Sequence, residues 1–128
     1  MIKIVFCAFA FISFNAYSAW DKTGQSDGFM TYVDTSTIKI NGSISSMTGL
    51  FDNDKPSLVS GNEVRSSINY FEFNCQQKTY RTVRYSLHSG QMGRGQQLID
   101  VRKDSEWKNA SGFYEFAWKI ACGYITKK

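Results

Sequence analysis

Histidine, proline and cysteine are nearly missing from this chain: one, one and three residues among 128. The single histidine is His88, and no two of His88, Cys75 and Cys122 lie at the close spacing of zinc ligands, so no metal centre is expected. A long hydrophobic run is missing too. The longest, about eleven residues from Ile4 to Phe14, is too short to cross a bilayer as a helix, which takes roughly 20 residues. No acidic pair stands out, and the Gly-x-Ser-x-Gly string at Gly24 to Gly28 falls in a turn between two strands rather than at a strand-to-helix elbow, so nothing marks a hydrolase. The glycine-rich run Gly90 to Gly95 does not continue into Lys-Ser/Thr or a helix as a phosphate cradle does; it reads as a flexible hairpin connection. His88 is the one candidate general base, without a marked nucleophile beside it. The expectation is a non-enzymatic protein with no catalytic residue, no cofactor and no metal.

What is present begins with a leader. Residues 1 to 18 have a basic start at Lys3, the apolar run, and small residues Ala16 and Ser18 where a signal peptidase reads, so cleavage is expected after Ser18 or Ala19. Cys7 lies inside the apolar run rather than after it, which argues against a lipid-accepting cysteine. The mature domain, residues 19 to 128, is one domain's worth of chain and keeps only Cys75 and Cys122. In an oxidising compartment these two pair; free thiols are the alternative.

The mature sequence is rich in Ser, Thr, Tyr and Phe and is punctuated by glycine or asparagine, the pattern of antiparallel strands joined by turns. A short strand around Trp20 and another over Phe29 to Val33 flank a turn at Gly24 to Gly28. Asp34 to Ile38 offers a capping aspartate and hydroxyls for a helical turn or tight bend. Asn41-Gly42 starts a hairpin into a strand from Ile44 to Phe51, stopped by a polar loop, Asp52 to Gly61, that holds Pro56. Val64 to Cys75 and Thr79 to His88 form the central pair. Phe71, Phe73 and Cys75 alternate with Tyr70, Glu72 and Asn74, and Val83, Tyr85 and Leu87 with Thr82, Arg84, Ser86 and His88. One face is therefore apolar and covered, the other mixed and wet. A further strand covers Gln97 to Arg102. The cover is a helix over Ser111 to Cys122, with Phe113, Phe116, Ala117 and Ile120 as its stripe, Ser111 as its cap and Gly123 as its stop. The fold class is α+β: about five or six antiparallel strands, a C-terminal helix on one face, and a Cys75 to Cys122 disulfide pinning helix to sheet.

Charge is mildly basic. Lys and Arg number 15 against 11 Asp and Glu, and losing Lys3 leaves about +3, too little to imply nucleic acid. The aromatic and basic neighbours Tyr80-Arg81 and Arg84-Tyr85 follow from strand alternation without base stacking. The basic residues cluster, though. Lys78, Arg84, Arg94, Arg102 and Lys103 fall with Arg81 in a stretch that is poor in acids. They form an anion-attracting patch if they share a face, or solvated charges that guard sheet edges if they do not.

In order and spacing, the chain resembles the surface-adhesin protein E-like domain family of Gram-negative envelope proteins. The resemblance is carried by Trp20, by Tyr32-Val33-Asp34 with Ser36 and Ile38, by Asn41-Gly42 before Leu50-Phe51-Asp52, and by Tyr70-Phe71-Glu72-Phe73-Asn74-Cys75. It continues through Tyr80-Arg81, Ser89 to Gly95, Glu106-Trp107 and the helix that ends at Cys122. It implies the same sheet, helix and disulfide, and its namesake is an outer-membrane lipoprotein that binds host matrix and plasma proteins. Met47 and Gly49 replace bulkier family residues, which implies looser packing or a shallow groove. The function expected is an exported envelope protein, periplasmic or at the cell surface. It would bind a host extracellular-matrix or plasma protein, or an envelope polymer, through an exposed sheet face and loops. The alternative is a periplasmic inhibitor or accessory protein docking on an envelope enzyme. Oligomeric state is not legible.

Overall fold

The computed structural model describes residues 20–125, so the leader read over residues 1 to 18 lies outside the described residues. Seven strands and one helix follow in order: β1 (Asp21–Ser26), β2 (Phe29–Asn41), β3 (Ile44–Val59), β4 (Asn62–Asn74), β5 (Thr79–His88), β6 (Gln97–Arg102), β7 (Lys108–Asn109) and α1 (Phe113–Ala121). The sheet is an antiparallel meander in the order β1-β2-β3-β4-β5-β6, and β7 joins the same edge of β5 as β6, opposite Thr79 and Tyr80. Each neighbour in sequence is a neighbour in space, as short turns require.

Three strands run further than their sequence suggested: β1 keeps Gly24 to Ser26 paired with β2 and leaves the turn to Asp27 and Gly28, and the other two owe their length to bulges. β2 continues through Asp34 to Ile38 as strand, the tight bend rather than the helical turn, with Thr35 to Ile38 bulging opposite the single residue Met47. The bend is held locally: Asp34 Oδ1 accepts from the Ser36 amide at 3.0 Å, and Thr37 Oγ1 accepts from the Thr48 amide at 2.9 Å. β3 likewise does not stop at Phe51. Its polar segment bulges between Asp52 and Ser57, which accommodates Pro56, then pairs with β4 again as far as Val59 opposite Asn62. The sequence marked the polar residues but not the partner strand that recaptures them.

A third bulge alters the face of β5. Tyr70 pairs with Arg84 while Phe71 pairs with Thr82, so Val83 is the extra residue. Tyr80 and Thr82 therefore share a face with Phe71 and Phe73, as do Tyr85 and Leu87 beyond the bulge. Unbroken alternation had set Thr82 on the opposite side.

The core lies between sheet and helix. Phe71 and Phe73 are 1% and 0% exposed and pack with Val33, Met47, Ala117, Ile120 and Ala121. Met47 and Gly49 close this layer rather than loosen it. A Cβ on Gly49 would stand 2.7 Å from Phe71 Cε2, so glycine is what lets the ring lie on β3. Ala117 gives α1 the same closeness, and Tyr114 stacks on Tyr80 at 3.9 Å.

Helix α1 is shorter than Ser111 to Cys122, and its N-cap is Gly112 at φ 57 without a side-chain bond; Ser111 contributes its carbonyl, which accepts from Tyr114 at 3.1 Å. Gly123, at φ 79, does end the helix: Tyr124 donates to Lys119 at 2.8 Å and Gly123 to Ile120 at 3.2 Å, a Schellman closure. Phe116 leaves the expected stripe and is 38% exposed, with Tyr114 and Ala121 inside in its place. The Cys75–Cys122 bridge spans Cα atoms 5.6 Å apart and ties the end of α1 to the end of β4.

Candidate functional site

The face of the sheet away from α1 is covered at one end and open at the other. The β5–β6 connection folds back over Leu50 and Ile68 as a 3-10 turn, Gln91–Gly93. It is fastened rather than loose. The Met92 amide donates to Asp52 Oδ1 at 2.8 Å, the Gly93 amide to Ser66 Oγ at 2.9 Å, and that hydroxyl to the Gly90 carbonyl at 2.6 Å.

His88 is buried under this connection, with Nε2 2.8 Å from Ser86 Oγ. Burial lowers the imidazole's pKa and favours the neutral ring. Exposures of 3% for Ser86 and 7% for His88 leave no path for a substrate carbonyl to the hydroxyl in this arrangement. Asp100 lies opposite Ser86, but its carboxylate is held by Arg84.

Toward the other end, even-numbered residues of β3 and β4 and the bulged part of β2 line an open trench. One section, about 580 Å³, is bounded by Ser36, Thr37, Thr48, Tyr70 and Val83. A second, about 370 Å³, is bounded by Asn41, Ile44 and Arg81, and Lys39, Ser46 and Glu72 belong to both. Arg81 bridges Glu72 at 2.7 Å, lies 3.7 Å from Asp104, and stacks over Trp107 at 4.7 Å. Arg84 grips Asp100 with two bonds of 2.9 Å and lies 4.9 Å from the Tyr70 ring centroid. Its guanidinium holds the Asp100 carboxyl below its ordinary pKa, with Arg102 adding to the effect.

The basic residues singled out in the sequence do not all meet. Arg84 and Arg102 are direct cross-strand partners, and Lys103 follows at once. Arg94 lies in the connection at the opposite end of β6. Lys78 is on the helix side, where its ammonium is 2.5 Å from Glu115 Oε1 and is the main cause of that carboxyl's lowered pKa. Arg94, Arg102 and Lys103 are exposed, and among the described residues no carboxylate lies within ion-pair distance of them. The trench residues Lys39, Thr48 and Glu72 were not singled out. Alternation in β4 placed Tyr70 and Glu72 on the outer face, but Lys39 reaches that face only because the β2 bulge resets the register.

A family model described as surface-adhesin protein E matches residues 20–123. Among solved structures the chain is similar to Haemophilus influenzae protein E: crystal form II aligns with a TM-score of 0.60 at 19% identity, covering 82% of this chain and 94% of that one. Protein E from non-typeable Haemophilus influenzae aligns with a TM-score of 0.59 at 18% identity over 79% of each chain. At such identities the likeness is one of fold. A search of curated protein sequences finds no match.

Proposed function

The chain belongs to the surface-adhesin protein E family, and from that premise we propose that it is an exported, non-enzymatic envelope protein that binds a host matrix or plasma protein. The contact surface is the sheet face opposite α1 with its adjoining connections, and Arg94, Arg102 and Lys103 supply the electrostatic attraction, Arg84 being spent on Asp100. The observation that carries this reading is the charge left over on that face. Glu72 and Asp100 are occupied by Arg81 and Arg84, whereas Arg102, the cross-strand partner of Arg84, and Lys103 next to it have no carboxylate in ion-pair reach among the described residues. Lys78, tied to Glu115 on the helix side, is left out of the surface.

Attraction between exposed charges is screened beyond about 8 Å at physiological ionic strength. Capture of purified matrix and plasma glycoproteins by the oxidised mature domain should therefore weaken as salt rises. Arg102→Gln with Lys103→Gln should weaken it by about three- to tenfold. No capture at low salt would reject the reading. Fractionation separates surface display from a periplasmic role docked on an envelope enzyme.

A further inference from the structure

We propose that the trench across β2, β3 and β4 is a binding site for an acidic oligosaccharide, with a uronate carboxylate on Lys39 and sugar hydroxyls on Thr48 and Tyr70. The inference deepens the binding reading above by naming what one part of that face takes.

Three observations carry it. The first is shape. The two sections share Lys39, Ser46 and Glu72 and so form one continuous channel. The larger, about 580 Å³, falls in the range of roughly 300–1,000 Å³ usual for ligand sites. A site open along its length suits a segment of polymer better than a small molecule that needs enclosure.

The second is the chemistry of the walls. Ser36, Thr37, Ser46, Thr48 and Tyr70 present hydroxyls around the apolar surface of Val83, a mixture that matches the hydroxyls and C–H faces of a sugar ring. Ser36 and Thr37 spend their hydroxyls on Asp34, and Ser46 reaches the Lys39 carbonyl at 3.4 Å. The Thr48 and Tyr70 hydroxyls have no hydrogen-bond partner among the described residues. An extended peptide is a poorer occupant, because strand addition needs an unpaired edge. The floor strands β3 and β4 are paired on both sides.

The third is charge. Glu72 is the carboxylate in the trench and Arg81 bridges it, so it does not repel an anion. Lys39 is exposed, and among the described residues no carboxylate lies within ion-pair distance of its ammonium. One uncompensated ammonium matches one negative charge per ring, as a uronate carries; a phosphate dianion would remain half neutralised.

Calorimetry with the oxidised mature domain tests this with a hyaluronan hexasaccharide, a hexagalacturonate and neutral cellohexaose as probes. Saturable binding of either uronate chain, at least about tenfold tighter than the neutral one, is the result expected. Hyaluronan alone would indicate a host-type chain, and hexagalacturonate alone an acidic envelope-type polymer. Lys39→Gln should weaken binding about five- to tenfold, and Tyr70→Phe and Thr48→Val by smaller factors, while Lys55→Gln on the distant β3–β4 tip changes nothing. Among the described residues these side chains make no hydrogen bond through the groups removed, so loss of fold does not confound the result; thermal melting of each variant verifies that. Equal affinity for the neutral chain, no binding of any chain, or an unchanged Lys39→Gln variant would overturn the inference. Arg102→Gln with Lys103→Gln separates the two readings. It should weaken glycoprotein capture and leave oligosaccharide binding unchanged, and capture that persists without sugar binding sinks the trench alone.

Discussion

At the scale of single residues, Gly49 and His88 show how far a side chain's behaviour depends on what packs against it, a ring on the next strand for one and a hydroxyl two residues back for the other. The Gly49→Ala variant places a Cβ 2.7 Å from the Phe71 ring, and that ring is 1% exposed with nowhere to retreat. Overpacking of this kind costs about 1–3 kcal/mol, so the denaturant midpoint should drop without a change in slope. His88 makes a second, pH-dependent prediction. Its folded pKa is below the ordinary 6.5, so the unfolded chain binds more protons as pH falls below that value. Stability is therefore full above pH 6.5 and declines as pH drops toward the lowered folded pKa. Urea titrations between pH 8 and pH 5 should show that decline, and His88→Asn should flatten it. From sequence His88 was a base without a nucleophile. Its actual partner, Ser86 on the same strand face, is trivial to name once β5 is known to run straight from Arg84 to His88.

At the scale of elements, the bulges and the bridge decide what the alternating pattern left open. Hydrophobic alternation located β4, β5 and β6 to within a residue or two, because one buried face enforces period two. The bulges at Thr35 to Ile38, at Val83 and after Asp52 break that period; Asp34 and Pro56 mark two of these places in the sequence, but nothing local announces the one at Val83. Ser45 is a related case: its hydroxyl closes the end of α1 by donating to the Ala121 carbonyl at 2.7 Å. The disulfide closes a separation of 47 residues. Removing it through Cys75→Ser with Cys122→Ser should cost roughly 4 kcal/mol on the chain-entropy model. The melting temperature should then fall by about 15–30 °C, and differential scanning calorimetry of the oxidised and doubly substituted domains measures it.

For the whole molecule, the proposed export route and the wet face belong to one account. An exported domain of this size leans on a covalent tie because its core is thin, a single layer between one sheet and one short helix. The leader read over residues 1 to 18 makes a plain prediction: protein recovered from the envelope fraction should begin at Ala19 or Trp20 by intact mass. A retained leader would remove the basis for an oxidising compartment.

The amino-acid order alone determined the class of the fold and the helix stop at Gly123, and it narrowed Cys75 and Cys122 to a pair or two free thiols, since these follow from local periodicity, from one residue's backbone freedom and from scarcity; the bridge itself came with the structure. The face on which Lys39, Thr82 and Lys78 would appear, and the trench they do or do not line, came only with the assembled sheet. The register that a bulge resets is a property of two strands together, and burial is a property of all of them.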